Sequence, residues 1–465
     1  MRNAGLCGGL RPESGRTDDF APGEGKGKTR IRNRSKINIV HGAGACYTNT
    51  REILPYSIAA VISAHCAAEK SEQPFKGEKE KKMKYTLYGD GLHDDQPAIQ
   101  QMLDSGVCEV TLPPPQKCYV IGKTLKIHGG QCLRLPAFAL IRLADGADCS
   151  MAEDDDFSAW KENICIEGGI WDMNHANQSP NPYHFAGKDG KKFFEKGAEL
   201  GWNPSESTVL PAIYTGFCMR FCRVRGLRVE NIVLRNPVTY GMQVAYCEDF
   251  TFRAIRFDYT EGSPKLWNMD GIHIEGHCKN GLVSDLKGAC HDDLVAITAD
   301  DGLYGPIENI VVDGLFAEHC HSAVRLLSHG LPVKNVTIRN VFGSFYTYCV
   351  GLTKYHAGET RGVMKNICIE NVAAAASKGT EDVWGGNFPF IWVEKGLDVE
   401  DLRISRVVRE EKTYPTPMLK IDEGASVKGL WLSDLHQKSL LEGKIEQTVI
   451  GGEVSEVHTE GLRNE

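Results

Sequence analysis

The chain has 465 residues, and its 53 Lys and Arg against 61 Asp and Glu leave a formal charge of -8. That balance excludes a sequence-independent grip on nucleic acid, which needs a basic surface, and no apolar run is long enough to cross a membrane as a helix. With 42% apolar residues and 49 glycines, the composition suits a large core with many turns.

Residues 1–82 hold little hydrophobic periodicity and end in the run Lys-Gly-Glu-Lys-Glu-Lys-Lys at 76–82, a composition that resists packing. The apolar stretch from Ile53 to Ala68 has the character of an export-signal core, yet it contains a proline and a histidine and begins about fifty residues in. The expectation is a disordered segment or an untranslated leader. Purine-rich codons encode Lys, Gly and Glu, so a ribosome-binding site read in frame would look like 76–82 and make Met83 the true start. Residues 83–465 are then one folded domain.

The next element, Asp-Asp-Gln-Pro-Ala-Ile-Gln-Gln-Met-Leu at 94–103, predicts a short amphipathic helix capped by Asp95 or Asp94, with Pro97 in its first turn. After it a pattern of apolar, any, apolar, any, any, apolar recurs. It reads Ile164/Ile166/Gly169, Leu227/Val229/Ile232, Phe250/Phe252/Ile255, Gly281/Val283/Leu286, Ile310/Val312/Leu315, Val336/Ile338/Val341, Ile367/Ile369/Val372, Leu402/Ile404/Val407 and Leu430/Leu432/Leu435.

Alternation of period two is a strand signal, and the step of three marks a bend before the next short strand. One such unit cannot bury its own face, but stacked units share a continuous core, and asparagines at the bends supply left-handed backbone. The fold class is therefore all-β: a single-stranded right-handed parallel β-helix with a short N-terminal capping helix. A β-sandwich is the alternative, disfavoured because Asn-Gly hairpin turns are scarce and every repeat runs in one orientation. The aromatic, lysine-rich stretch from Asp172 to Pro211 is too long for one bend and is a candidate binding loop, with a solvated insertion as the alternative.

Thirteen of the sixteen cysteines follow Met83, scattered singly from Cys108 to Cys368, and read as reduced core thiols. The tract from His319 to His321 is the one zinc-like cluster and lacks a second cysteine pair, so no metal or other cofactor is expected. Asp300 and Asp301 sit among glycines and a proline, where a turn role is preferred.

Strands stacked in register lie about 4.8 Å apart, so Asp270 and the pair Asp292/Asp293, one coil on, converge on one outer face. Mutual repulsion raises at least one pKa and leaves a proton donor beside ionised partners, as glycoside hydrolysis requires. The segment at 88–100, Tyr-Gly-Asp-Gly-Leu-His-Asp-Asp-Gln-Pro-Ala-Ile-Gln, resembles the opening of many pectate-lyase-superfamily β-helices (the pectin-lyase-like solenoid). Asn-Met-Asp-Gly at 268–271 and His-Asp-Asp-Leu-Val-Ala-Ile at 291–297 resemble the Asn-Thr-Asp-Gly and Gln-Asp-Asp-Cys-Val-Ala-Ile motifs of the polygalacturonase family, glycoside hydrolase family 28.

The resemblance implies Asp292 as general acid, Asp270 with Asp293 as base, and His321 as the histidine that orients a catalytic carboxylate. Asn268, His273, Arg325 and Lys354 are the candidate substrate-binding residues. The family's Arg-Ile-Lys falls on Cys-Val-Gly-Leu-Thr-Lys at 349–354, with Gly351 in the arginine position and Lys354 displaced by one residue.

The expected function is an inverting glycoside hydrolase acting on a pectic or related poly- or oligosaccharide. Alternatives are a lyase or epimerase on the same fold and a noncatalytic glycan-binding β-helix. Loss of the arginine favours a sugar other than plain polygalacturonate, with Trp202, Trp267 and Trp384 available to stack on it. Free thiols and an untranslated leader suggest a cytoplasmic enzyme, or a secreted one if the leader is real. Oligomeric state and endo or exo action are left open.

Overall fold

A computed structural model describes residues 84–203, 212–260, 267–355, 358–379 and 387–465. The leader at 1–82, Met83 and Trp384 lie outside the described residues. The chain winds as a parallel β-helix. One sheet of eleven parallel strands runs from Leu125–Ile127 to Thr448–Ile450, and a second sheet of eighteen strands covers the remaining faces of the coil.

The repeat read from the sequence is the register of that second sheet. Gly281 pairs with Ile310, then Val336, Ile367, Leu402 and Leu430 on successive coils. The middle and last members stack likewise, Val283 to Leu432 and Leu286 to Leu435. Each apolar member is buried, which at roughly 1.5–3 kcal/mol per aliphatic side chain is the main source of cohesion. Gly281 carries no side chain because the Phe250 ring lies 2.1 Å from where its Cβ would stand.

The bends are left-handed, as the repeat required. Between the second and third members, Asp285, Asn340, Asn371, Arg406 and Asp434 all have φ between 50° and 60°. Before the first member, Asp249, Asn280, Asn309, Asn335 and Asn366 form a ladder, each Asn Nδ2 donating to the Oδ1 one coil back at 2.8–3.0 Å. A short amide side chain tolerates this backbone and stacks on its own kind.

The capping helix is Gln96–Leu103, with Ala98, Ile99 and Leu103 buried. Asp95 is the N-cap residue but makes no side-chain cap bond: Asp94 Oδ1 accepts the Gln96 N–H at 2.9 Å, whereas the Asp95 carboxylate turns back to accept the N–H groups of Tyr88 and Gly89. Gln100 accepts from Lys126 N at 2.9 Å and donates to Lys126 O at 3.0 Å, so the helix satisfies backbone groups of the first strand of the eleven-stranded sheet that would otherwise form an open edge.

The ladder makes a stability prediction. Asn335→Ala places a Cβ residue without amide partners at φ 55°, and should lower the unfolding free energy by about 1–2 kcal/mol. Asn335→Gly should lose less, because glycine adopts the bend freely. Urea denaturation midpoints of the two variants check the order.

Candidate active site

Outward residues of the eleven-stranded sheet line a cleft of about 650 Å³. In Ile272–Ile274 the two isoleucines face the core, so His273 faces out; in Ser322–Leu327 the same alternation turns Arg325 outward between Val324 and Leu326. The register stacks Gln243, His273, Ala296, Arg325, Gly351 and Trp392 in one column. Beside it, Gly271 N donates to Asp293 O at 2.9 Å, which sets Asp270 against Asp293 across adjacent coils.

The three aspartates meet in unlike surroundings. Asp293 is 1% exposed; Ser322 Oγ donates to its Oδ1 at 2.5 Å, Tyr348 OH reaches the same oxygen at 3.5 Å, and Arg325 Nε stands 2.5 Å from Oδ2 in an ion contact that is not an aligned hydrogen bond. Burial would raise this carboxyl, but Arg325, His321 and Ser322 outweigh it and hold it well below the usual carboxylate range. Asp270 is pushed well above that range, first by burial and then by the charges of Asp292 and Asp293.

The Asp292 side chain is 28% exposed, with Oδ2 accepting from Asn268 N at 3.0 Å and Oδ1 from Asp293 N at 3.1 Å. Its pKa is raised by burial and by Asp293, against the opposing charge of His321. Asp270 and Asp292 are both shifted toward the protonated form, whereas Asp293 is shifted toward the ionised one. A carboxyl with a raised pKa is a competent acid when protonated and a stronger base than a free carboxylate when ionised.

His321 Nδ1 lies 3.6 Å from Asp292 and 3.8 Å from Asp293. Burial disfavours its charge, yet the two carboxylates prevail and raise its pKa. Donor atoms of Asp292, Asp293 and His321 fall within 4.8 Å of one another, a spacing that admits a divalent ion. The Arg325 guanidinium already stands 2.5 Å from Asp293, so an ion bound here would compete with that counter-charge.

His273 lies behind the cleft wall, 1% exposed, with its ring stacked on Tyr240 at 4.2 Å, and burial lowers its pKa. Nδ1 is 2.8 Å from Asp270 Oδ2 and Nε2 is 3.1 Å from Thr298 Oγ1. A neutral ring donates from one nitrogen only. Against ionised Asp270 it donates from Nδ1; when Asp270 holds a proton, the other tautomer donates to Thr298, whose hydroxyl lies 3.4 Å from Ile274 O. His273 therefore supports Asp270 from behind and does not line the cleft.

Asn268, Asp270, Asp292, Asp293, His321 and Arg325 line one cleft. Lys354 does not: it follows the strand Val350–Thr353 and donates its ammonium to Gly358 O at 2.6 Å. Sequence reasoning missed Glu275 and Asp301. Asp300 takes the turn role, accepting from His329 N and Leu331 N, but Asp301 faces the cleft 3.6 Å from Arg325 Nη2. Glu275 accepts from Gln243 Nε2 at 2.6 Å and was legible only as the next outward position after His273. Of the tryptophans, Trp202 and Trp267 line the cleft, together with Trp392.

No protein-family model matches the chain, and no curated protein matches it by sequence. Similar solved structures share the fold. An endo-xylogalacturonan hydrolase from Aspergillus tubingensis aligns with a TM-score of 0.50 at 14% identity, over 82% of this chain and 99% of that one. The surface protein and adhesin PfbA of Streptococcus pneumoniae aligns at 0.50 and 13%, over 82% and 97%. The A-module of the Azotobacter vinelandii mannuronan C-5 epimerase AlgE6 aligns at 0.45 and 14%, over 80% and 97%. The β-helix is thus shared with a hydrolase and with an adhesin, and at these identities the likeness shows the fold alone.

The split among the aspartates is measurable without a substrate. Carboxyl-carbon NMR of protein labelled at aspartate should show one cleft aspartate ionised through the acid range and one proton retained above it. Removing the cation in Arg325→Gln should raise the pKa of Asp293, since the charge that favoured its ionised form is gone. An unchanged Asp293 titration would contradict the assignment of Arg325 as its main counter-charge.

Proposed function

We propose that the protein is a glycoside hydrolase that cleaves a poly- or oligosaccharide by single displacement with inversion. The observation that carries this reading is the meeting of three carboxylates in unlike surroundings: Asp293 buried against Arg325 at 2.5 Å, Asp270 buried with His273 at 2.8 Å, and Asp292 28% exposed in the cleft. Asp292, the more exposed member, gives its proton to the glycosidic oxygen as the bond to the leaving sugar breaks. Asp270, ionised in the reacting state and a stronger base than a free carboxylate, takes a proton from the attacking water, and Asp293 with Arg325 holds that water in place. His321 steadies Asp292 and favours the anion it becomes.

The central subsite, in this reading, takes a sugar without a carboxylate. Among the described residues the cleft is lined by six carboxylates, Asp270, Glu275, Asp292, Asp293, Asp301 and Glu394, against the guanidinium groups of Arg220 and Arg325. Arg325 is held between Asp293 at 2.5 Å and Asp301 at 3.6 Å. A uronate would meet excess negative charge, while sugar hydroxyls would find acceptors and aromatic faces such as Trp392 and Phe388. The thirteen thiols of the described domain, seven of them buried, fit a reducing compartment; native disulfides in a non-reducing peptide map would oppose that placement.

Reducing-sugar release from neutral pectic side-chain fragments should exceed release from polygalacturonic acid; the reverse order would refute the neutral subsite. Asp292→Asn should lower turnover by about 10²–10⁴ with the fold intact. Inversion needs acid and base about 6.5–9.5 Å apart to admit water, so NMR of the first-formed anomer should show the configuration opposite to that of the substrate. Retention would remove the single-displacement mechanism, and absorbance from an unsaturated uronide would point to elimination instead.

A further inference from the structure

Among the described residues, the cleft is open in one direction along the coil axis and roofed in the other. Its floor spans seven strands of the eleven-stranded sheet, from Met219–Cys222 to Ile391–Val393, about 29 Å at ~4.8 Å per strand. Asp270 and Asp293 stand near the middle. On the side of the later coils, His321 and Arg325 keep side-chain exposures of 12% and 14%, and Tyr355 at the rim is 60% exposed. On the side of the earlier coils, Arg220 and Gln243 also line the cleft, yet they are 2% and 3% exposed. Tyr348 and Thr353 on the later side are buried as well, at 7% and 3%, but the rim there stays exposed, whereas the long side chains of Arg220 and Gln243 lie beneath a cover.

The cover is the stretch after Asp172. Tyr183 packs on Phe193 at 4.6 Å, Phe193 on Trp202 at 5.4 Å, and Tyr183 also meets Phe217 on the floor at 6.2 Å. The stretch is tied down at two places. Asp148 accepts from Ser179 N and Oγ at 2.6 and 2.7 Å. At the cleft, Asn181 Nδ2 and His184 Nε2 reach Asn268 Oδ1 at 3.1 and 2.9 Å. Asn268 is the residue whose backbone N–H holds Asp292, so the wall abuts the catalytic group.

We propose that the enzyme acts from a chain end. This rests on the hydrolase reading above and adds its mode of action. A polysaccharide cannot thread past Tyr183, Phe193 and Trp202, so a scissile bond reaches Asp292 only when a short terminal unit fills the roofed end over Arg220, Gln243 and Glu275. The rest of the chain leaves along the open side. The stretch from Asp172 is then a specificity wall that converts an open groove into an end-binding pocket.

Reducing-end-tagged hexamers of galactan, arabinan and galacturonan, with the corresponding polymers, test this. The expected result is one smallest product from the first time point, with polymer viscosity nearly constant while reducing ends accumulate. Fragments of intermediate length at early times would overturn end action and leave the hydrolase reading standing. No cleavage of any probe would instead fell the hydrolase reading, and this inference with it. The double variant Phe194→Ala with Trp202→Ala thins the wall at its outer side, where Phe194 is 55% exposed, and should release intermediate fragments. A folded double variant that keeps the wild-type product pattern would overturn the role given to the wall, and if that variant does not fold, the wild-type pattern alone decides.

Discussion

Every inner coil of the described residues hydrogen-bonds to the coil before it and the coil after it, so each side chain's place along the groove is inherited from its neighbours. A slip of one residue would turn a whole outward column into the core. The left-handed bends prevent that slip. Asn335 and Asn340 stand at fixed offsets from the apolar triplet they flank; Asn335 bonds to its equivalents Asn309 and Asn366, and Asn340 to its equivalent Asn371 and to Asp313. Regularity on that face is what allows irregularity on the other, where the chain can leave the coil after Asp172 and return without disturbing the stack.

The cleft depends on the same rigidity for its electrostatics. Three carboxylates this close are costly in a buried setting unless their protons and counter-charges are assigned. The scaffold assigns them by position. Arg325 is one strand on from Ala296 and faces Asp293, whereas Asp270 has the buried His273 imidazole at its back. Asp292, at the bend entering its strand, keeps contact with solvent. Identical side chains thus differ in proton affinity because each has a different set of neighbours.

Much of this was legible in the chain, and what was not has a common cause. The triplets were visible because their spacing is local, and the aspartate cluster because its motifs are contiguous. Asp94 and Asp95 are equivalent as caps until the distant partners of Asp95, Tyr88 N and Val120 N, are known. Asp301 is masked by the turn-like residues around it, and only the position of Arg325 separates it from Asp300. The wall was visible as an insertion, but its purpose lies in contacts such as Asn181 to Asn268 across 87 positions, which no local pattern encodes. Lys354 shows the opposite error, since proximity to a motif in sequence did not bring its ammonium to the cleft.

Gly351 carries a consequence for how such a site could change over time. It occupies the column position next to Arg325, and a Cβ there would stand 2.7 Å from the Tyr348 ring, whose hydroxyl also reaches Asp293. An arginine could not be introduced at 351 in one step, because the tyrosine already holds the volume. Shrinking the tyrosine first would open a void and remove a partner of Asp293 before any benefit of a new cation appeared. The two positions are coupled: a side chain could enter at 351 only if the Tyr348 ring gave way, so any change at one is felt at the other and at Asp293.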